Sequence, residues 1–220
     1  MDYAGIQRRL AVTGLVARGG FIAGADEALP IGARTIVLVG DLGGAFWPRF
    51  RAEQRDEVDP LDAWTRRVLS AAARELGARA IYPFDGPPYH PFQQWAMRAE
   101  GLRQSPIGPL IHPEYGPWHS YRGALLFDDA VAGLPTAPQT AHPCDTCRAR
   151  PCLSACPVGA FAGGGFDLGA CLGHLKSDAG KPCMAQGCRA RNVCPVGQSR
   201  AYAPDHQAFL ARGFVASFGD

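Results

Sequence analysis

The sequence predicts an α+β sandwich with a small cysteine-rich module behind it. Three observations carry that reading. Over 1–130, helical and strand patterns follow in the order helix, strand, helix, strand, helix, hairpin, which suits helices layered on an antiparallel or mixed sheet. All eight cysteines lie between Cys144 and Cys194. Between the two regions, 131–143 carries Pro135, Pro138 and Pro143 among small residues and reads as a linker. The expected domains are therefore 1–130, the linker 131–143, a module at 144–200 and a tail at 201–220.

The elements are justified in order. Residues 3–18 read as an amphipathic helix with Ile6, Leu10 and Val16 on one side. Arg34 to Gly40 is a β-branched and aliphatic run ending in glycine, a buried strand. Gly43 to Asp56 is mixed and partly helical. Asp59-Pro60 opens the clearest helix, with Asp59 as N-cap and Leu61, Trp64, Val68, Ala72 and Leu76 at helical spacing before Gly77. Ala78 to Pro83 is a second strand, Asp85 to Pro88 a turn, and Pro91 to Glu100 a short helix closed by Gly101. Leu110 to Tyr115 and His119 to Phe127 flank Gly116-Pro117 and read as the two arms of a hairpin. The cysteine module is glycine-rich and short on regular structure, and a short helix is expected at Asp205 to Ala211.

Bulk properties exclude several classes. Hydrophobic residues make 47% of the chain and charged residues 19%, enough for a buried core. A net charge of +2 is too small to make nucleic acid or an anionic membrane the main partner. No apolar run reaches spanning length, so no membrane segment is expected. Arg8-Arg9 precedes an apolar stretch, but Arg18 interrupts it and no small-residue cleavage site follows, so a cytoplasmic protein is expected. A reducing cytosol points clustered cysteines to metal rather than to disulfides.

The cysteines read Cys144-x2-Cys147-x4-Cys152-x3-Cys156-Pro157, then Cys171, then Cys183-x4-Cys188-x5-Cys194-Pro195. Each half contains a Cys-Arg-Ala-Arg run and ends in Cys-Pro-Val-Gly, a degenerate internal repeat. In two-cluster ferredoxins the last cysteine of each run, followed by proline, ligates the other cluster. By that rule Cys144, Cys147 and Cys152 hold one [4Fe–4S] cluster with Cys194, and Cys156 holds a second with Cys171, Cys183 and Cys188. The intervals are longer than the usual C-x2-C-x2-C-x3-C-P. Two structural zinc ions are the rival, since zinc also uses C-x2-C and C-x4-C, although zinc gives no reason for the prolines. From Cys144 to Arg200 there are five Arg and two Lys against three Asp. Arg148, Arg150, Arg189 and Arg191 sit within the cysteine loops, where they either offset cluster charge or face solvent. His174, three residues after Cys171, is expected beside the second cluster rather than as a ligand.

The module resembles that of the epoxyqueuosine reductases and, more loosely, of the reductive dehalogenases. Gly169-Ala-Cys-Leu-Gly-His-Leu175 matches the place where those proteins bring one isolated cysteine to the second cluster. The preceding region resembles the cobalamin-processing decyanases and dealkylases, through His90-Pro91, Ala99-Glu-Gly101 and the run Gly108 to Leu126. The core of that run is Ile-His-Pro-x-x-Gly-x-Trp-x-x-x-Arg-Gly, and the match covers about 40 residues. Both resemblances imply a nitroreductase-like α+β fold, and the first implies a ferredoxin-like two-cluster module behind it. The second implies that His112, Tyr115, Trp118 and Arg122 line a corrinoid cavity. The residues by themselves read better as a hairpin whose Trp118 and Tyr121 pack the core and whose His112 is satisfied in a turn. The decyanases lack an iron–sulfur module, and the tRNA-binding repeats of the reductases have no counterpart here.

The expected function is that of an iron–sulfur redox protein. Electrons from a reduced ferredoxin or flavodoxin would pass through two [4Fe–4S] clusters to a cofactor in the first domain, cobalamin before flavin, or to a small-molecule substrate. An electron carrier with no substrate of its own and a non-enzymatic cobalamin-binding protein are the alternatives.

Overall fold

A computed structural model describes residues 1–24, 29–138 and 141–218. Two positions of the expected linker (139 and 140) and the last two of the expected tail lie outside these. The chain forms two compact units, Met1–Leu102 with His119–Gln139, and Arg103–Trp118 with Thr140–Asp220.

The first unit is built on a four-stranded antiparallel sheet. Its strands are β1 (Val16–Ile22), β2 (Thr35–Leu42), β3 (Arg79–Ile81) and β6 (His119–Phe127), in the order β1-β2-β6-β3. Ile36 to Val39 and Ala124 to Leu126 pair across its centre and are fully buried, as their aliphatic runs require. Helices α1 (Tyr3–Ala11), α2 (Trp47–Glu53), α3 (Pro60–Leu76) and α4 (Phe92–Glu100) complete the layers. α3 packs on β3 and β6, while α4 packs on β1 and β2. α3 buries Leu61, Trp64, Thr65, Leu69, Ala72, Ala73 and Leu76, and Gly77 ends it in the left-handed conformation.

Three expectations change. The first helix stops at Ala11, because Gly14 turns the chain at φ 77° and Thr13 bonds its own turn; Val16 then starts β1. Asp59 precedes α3 without making a side-chain cap bond. The hairpin is absent: Leu110–Ile111 (β5) pairs with Arg103–Gln104 (β4), whereas β6 pairs with β2 and β3. The reason is the turn. His112 and Gly116 exchange both backbone hydrogen bonds, closing 112–116 on itself, so that the two arms never face each other.

Two β-bulges interrupt the sheet, and an arginine lies in each. β1 shifts register between Ala17 and Gly20, where Arg18 and Gly19 together oppose Leu38; β6 shifts between Gly123 and Tyr121, inserting Arg122. Arg18 is buried, donating to both carboxylate oxygens of Glu100 at 2.9 and 2.8 Å and to the Asp41 carbonyl at 2.9 Å. Tyr121 also donates to Glu100 and is held above the ordinary tyrosine range by burial.

The second unit carries the two-stranded β4–β5 sheet and a series of short helices: α5 (Pro143–Thr146), α6 (Pro151–Ser154), α7 (Leu168–Leu175), α8 (Lys181–Gln186) and α9 (Arg189–Asn192). The cysteine module thus has more regular structure than its glycine content suggested. The last helix, α10 (Pro204–Phe218), runs past the expected Ala211 and packs on α8 and α7. No helix among the described residues is long and apolar enough to cross a membrane.

Candidate iron–sulfur site

The short helices follow from the spacing of the cysteines. Each carries or adjoins a cysteine, four of them with proline in the first turn or Asp167 as a side-chain cap: α5 and α6 carry Cys144 and Cys152, α7 Cys171 and α8 Cys183. A helix of one or two turns presents one or two side chains to the same side, so the cysteines converge without a deep core.

They converge as two sets of four. Cys156, Cys171, Cys183 and Cys188 line a cavity of about 300 Å³, with Phe161, Phe166 and Phe214 on its apolar side. Cys144, Cys147, Cys152 and Cys194 line a second, tighter cavity of about 30 Å³, walled by Ile107, Ile111, Pro117 and Val196. All eight are free thiols. Burial and the neighbouring thiols of its own set push Cys171 up to about 11, and burial followed by Cys194, Cys152 and Cys147 raises Cys144. The mutual repulsion runs within each set. Burial and like neighbours thus favour the protonated thiol at these positions, and a cationic centre would be needed to reverse that preference.

Among the described residues no three His, Cys, Asp or Glu side chains meet as the ligands of a single metal ion. A single ion draws its donors to within bonding distance of one point. A cubane takes one thiolate at each of four corners, so its ligands line a cavity. The eight thiols are of the donor type that such clusters take, and they group in two sets of four.

Around Cys144, Cys147, Cys152 and Cys194 the walls come from an unexpected place. The turn 112–116 and the second Cys-Pro-Val-Gly run cross backbone to backbone: a Cβ on Gly116 would lie 2.1 Å from the Val196 carbonyl oxygen, and one on Gly197 2.3 Å from that of Tyr115. Both glycines have positive φ, 56° and 72°. Arg191 seals the crossing. Its guanidinium lies 4.6 Å over the Trp118 ring and 4.8 Å over Tyr202, and donates to the Pro117 carbonyl at 3.2 and 2.5 Å. Arg200 reaches Glu114 at 2.8 Å. His142, just before Cys144, is buried with Nε2 3.0 Å from the Arg103 carbonyl.

The four residues assigned to a corrinoid cavity fall in both units. His112 accepts the backbone N–H groups of Glu114 and Tyr115 at its Nδ1, both at 3.1 Å, and so braces its own turn. Tyr115 lies beside His112 and under Arg200, with 5.1 Å to each. Trp118 is buried against Arg191 and Tyr202, and its indole Nε1 is buried with no hydrogen-bond partner. In the first unit, Arg122 donates to Asp62 and, from Nε and Nη2, to Thr65 Oγ1 at 3.2 and 3.1 Å. What the sequence missed is that the Ile-His-Pro-x-x-Gly segment walls a cysteine cavity. The glycines of the two runs were visible, but nothing local says that they touch.

Solved structures share this architecture from end to end. A B12-trafficking protein CblC of C. elegans, described as a homologue of human MMACHC, matches 98% of this chain and 94% of its own at 14% identity, with a TM-score of 0.56. The fold is nitroreductase-like. An epoxyqueuosine reductase solved with a modified tRNA-Tyr stem loop matches 97% of this chain and 74% of its own at 16% identity and a TM-score of 0.54. The epoxyqueuosine reductase of Bacillus subtilis matches the same shares at 13% and 0.52. At such identities the likeness is one of fold. No family model and no curated protein matches the sequence.

Proposed function

We propose that this chain is a small iron–sulfur electron carrier that holds two [4Fe–4S] clusters on a nitroreductase-like scaffold. The observation that carries the reading is the partition of eight free cysteines into two sets of four around separate cavities. Bound there, the clusters would supply one-electron chemistry at low potential. Cys144, Cys147, Cys152 and Cys194 would hold one, and Cys156, Cys171, Cys183 and Cys188 the other. A single-electron donor of the ferredoxin or flavodoxin type suits that chemistry. The protein's own part is to bind, separate and shield the two centres.

A carrier is favoured over a reductase acting on a cofactor of its own. His112, Trp118 and Arg122 are each engaged in bracing the chain: a turn, an aromatic stack and an ion pair. Corrinoid handling is the second reading, supported by the end-to-end likeness in fold to the C. elegans protein.

Anaerobic purification with iron and sulfide analysis tests the proposal. About eight irons per chain are expected, and Cys171→Ser should lower this to about four. About two zincs per chain, or a Cys171→Ser protein with unchanged iron, would overturn it. Tight binding of added cob(II)alamin to the iron-loaded protein would move the assignment to the second reading.

A further inference from the structure

The two cysteine sets are lined differently, and the difference bears on how they would hold an electron. Resting on the iron–sulfur reading above, we infer that this chain splits the potentials of its two sites. The Cys156/Cys171/Cys183/Cys188 site is the easier to reduce, and the singly reduced protein carries its electron there.

Three features of the chain point the same way. The first is a side-chain donor. His174 stands one turn after Cys171 on α7, and its Nε2 lies 3.6 Å from Cys183 Sγ. A ring N–H directed at a thiolate sulfur stabilises the more negative, reduced state of the site. The second is charge. Arg189 lines this cavity; Arg191 lines it too, but its guanidinium bonds the Pro117 carbonyl at the wall of the other and so does not separate the sites. The third is access to water. Cys188 is exposed and this cavity is the roomier, about 300 Å³ against about 30 Å³.

The other set has none of these. Its cavity is walled by Ile107, Ile111, Val196 and four prolines, with no charged side chain and no histidine. Arg148 and Arg150, which the sequence places beside it, are exposed and do not line it. Backbone donors do not favour this site: the Ala160 and Arg189 amides serve Cys156 and Cys183, while the Cys152, Leu153 and Val196 amides serve Cys152 and Cys194 in the other. Phe161, Phe166 and Phe214 make the roomier cavity largely apolar as well, so the contrast rests on the Arg189 guanidinium, the His174 imidazole and the exposed Cys188 that it alone has. An added electron makes an anionic centre more negative, and a wholly apolar shell opposes that more than one with such groups.

The balance is one electron per step, from a reductant outside the protein to one site and then to the other. A mediated potentiometric titration followed by electron paramagnetic resonance reads it, on protein of measured iron and sulfide content. Wild type should show two separate one-electron reductions. His174→Leu should lower the upper midpoint alone, and His174→Gln, which keeps an N–H, should restore part of the shift. Arg189→Gln alters an exposed side chain and should lower the same midpoint; it decides the matter if His174→Leu fails to load. A single common midpoint in wild type overturns the inference. So does a fully loaded His174→Leu protein that shifts the lower midpoint or neither. Absence of iron and sulfide from anaerobically prepared wild type would instead overturn the electron-carrier reading.

Discussion

The two Cys-Pro-Val-Gly runs provide a paired experiment on how the second unit is held together. Gly159 and Gly197 occupy the same place in the repeat, and both are left-handed, at φ 60° and 72°. Their surroundings differ. A methyl group at Gly159 meets nothing nearer than Ala162 Cβ at 3.9 Å, whereas one at Gly197 lies 2.3 Å from the Tyr115 carbonyl. Gly159→Ala should therefore cost only the conformational term, about 1 kcal/mol. Gly197→Ala carries the same term and must also push two backbones apart by roughly 0.7 Å in a close-packed crossing, where overpacking costs about 1–3 kcal/mol more. The total is about 2–4 kcal/mol, which at 25 °C is a large part of the stability of a small unit. Thermal unfolding of the loaded proteins, with iron counted before and after, gives the comparison. Gly197→Ala should melt well below Gly159→Ala and lose iron first from the site that contains Cys194. Equal melting points for the two variants would refute the crossing as a structural joint.

Other predictions concern both units. Arg191→Lys keeps the charge but loses the planar contacts with Trp118 and Tyr202 and the paired bonds to Pro117, so unfolding should ease by about 1–2 kcal/mol, with altered Trp118 fluorescence. In the first unit, Glu100→Gln leaves the Arg18 guanidinium, 1% exposed, without its carboxylate and should cost about 3 kcal/mol in chemical denaturation. Tyr121 is raised above 10.0 by burial and by Glu100, against the opposing pull of Arg18, so the folded state keeps a proton that the unfolded chain releases. Stability should hold up to about pH 10 and fall as pH rises beyond it, and Tyr121→Phe should soften that alkaline loss. Tyr3 and Tyr82 are raised in the same direction, chiefly by burial, so part of the loss should remain in Tyr121→Phe.

Much of the first unit was legible because its signals are local. Asp59-Pro60 and Gly77 bracket α3 by backbone chemistry that needs no partner, and the aliphatic run of β2 can only be buried on both faces. Strand β1 was not legible. Its Val-Ala-Arg-Gly-Gly-Phe-Ile sequence contains a charge and two glycines, each of which argues against a strand on its own. They make sense only in the sheet: Arg18 lies in the bulge with Gly19 and meets Glu100, and a Cβ on Gly20 would lie 2.3 Å from the Ile36 carbonyl. The false hairpin has the same origin. Two strand-like runs around Gly-Pro satisfy the local rule, but pairing is a property of neighbours, and β6 found better ones in β2 and β3.

By itself the sequence determined that eight cysteines would gather in one small region, and the rule for Cys-Pro runs distributed them between two groups. Spacing suffices there because short loops between cysteines leave few ways to bring them together. Only the tertiary structure decided what surrounds each group. It walled one with the apolar turn segment around Ile111 and Pro117 and set the other among Arg189, His174 and three phenylalanines. Those surroundings are drawn from residues far apart along the chain, and a potential depends on what lies around a centre as much as on the ligands that hold it.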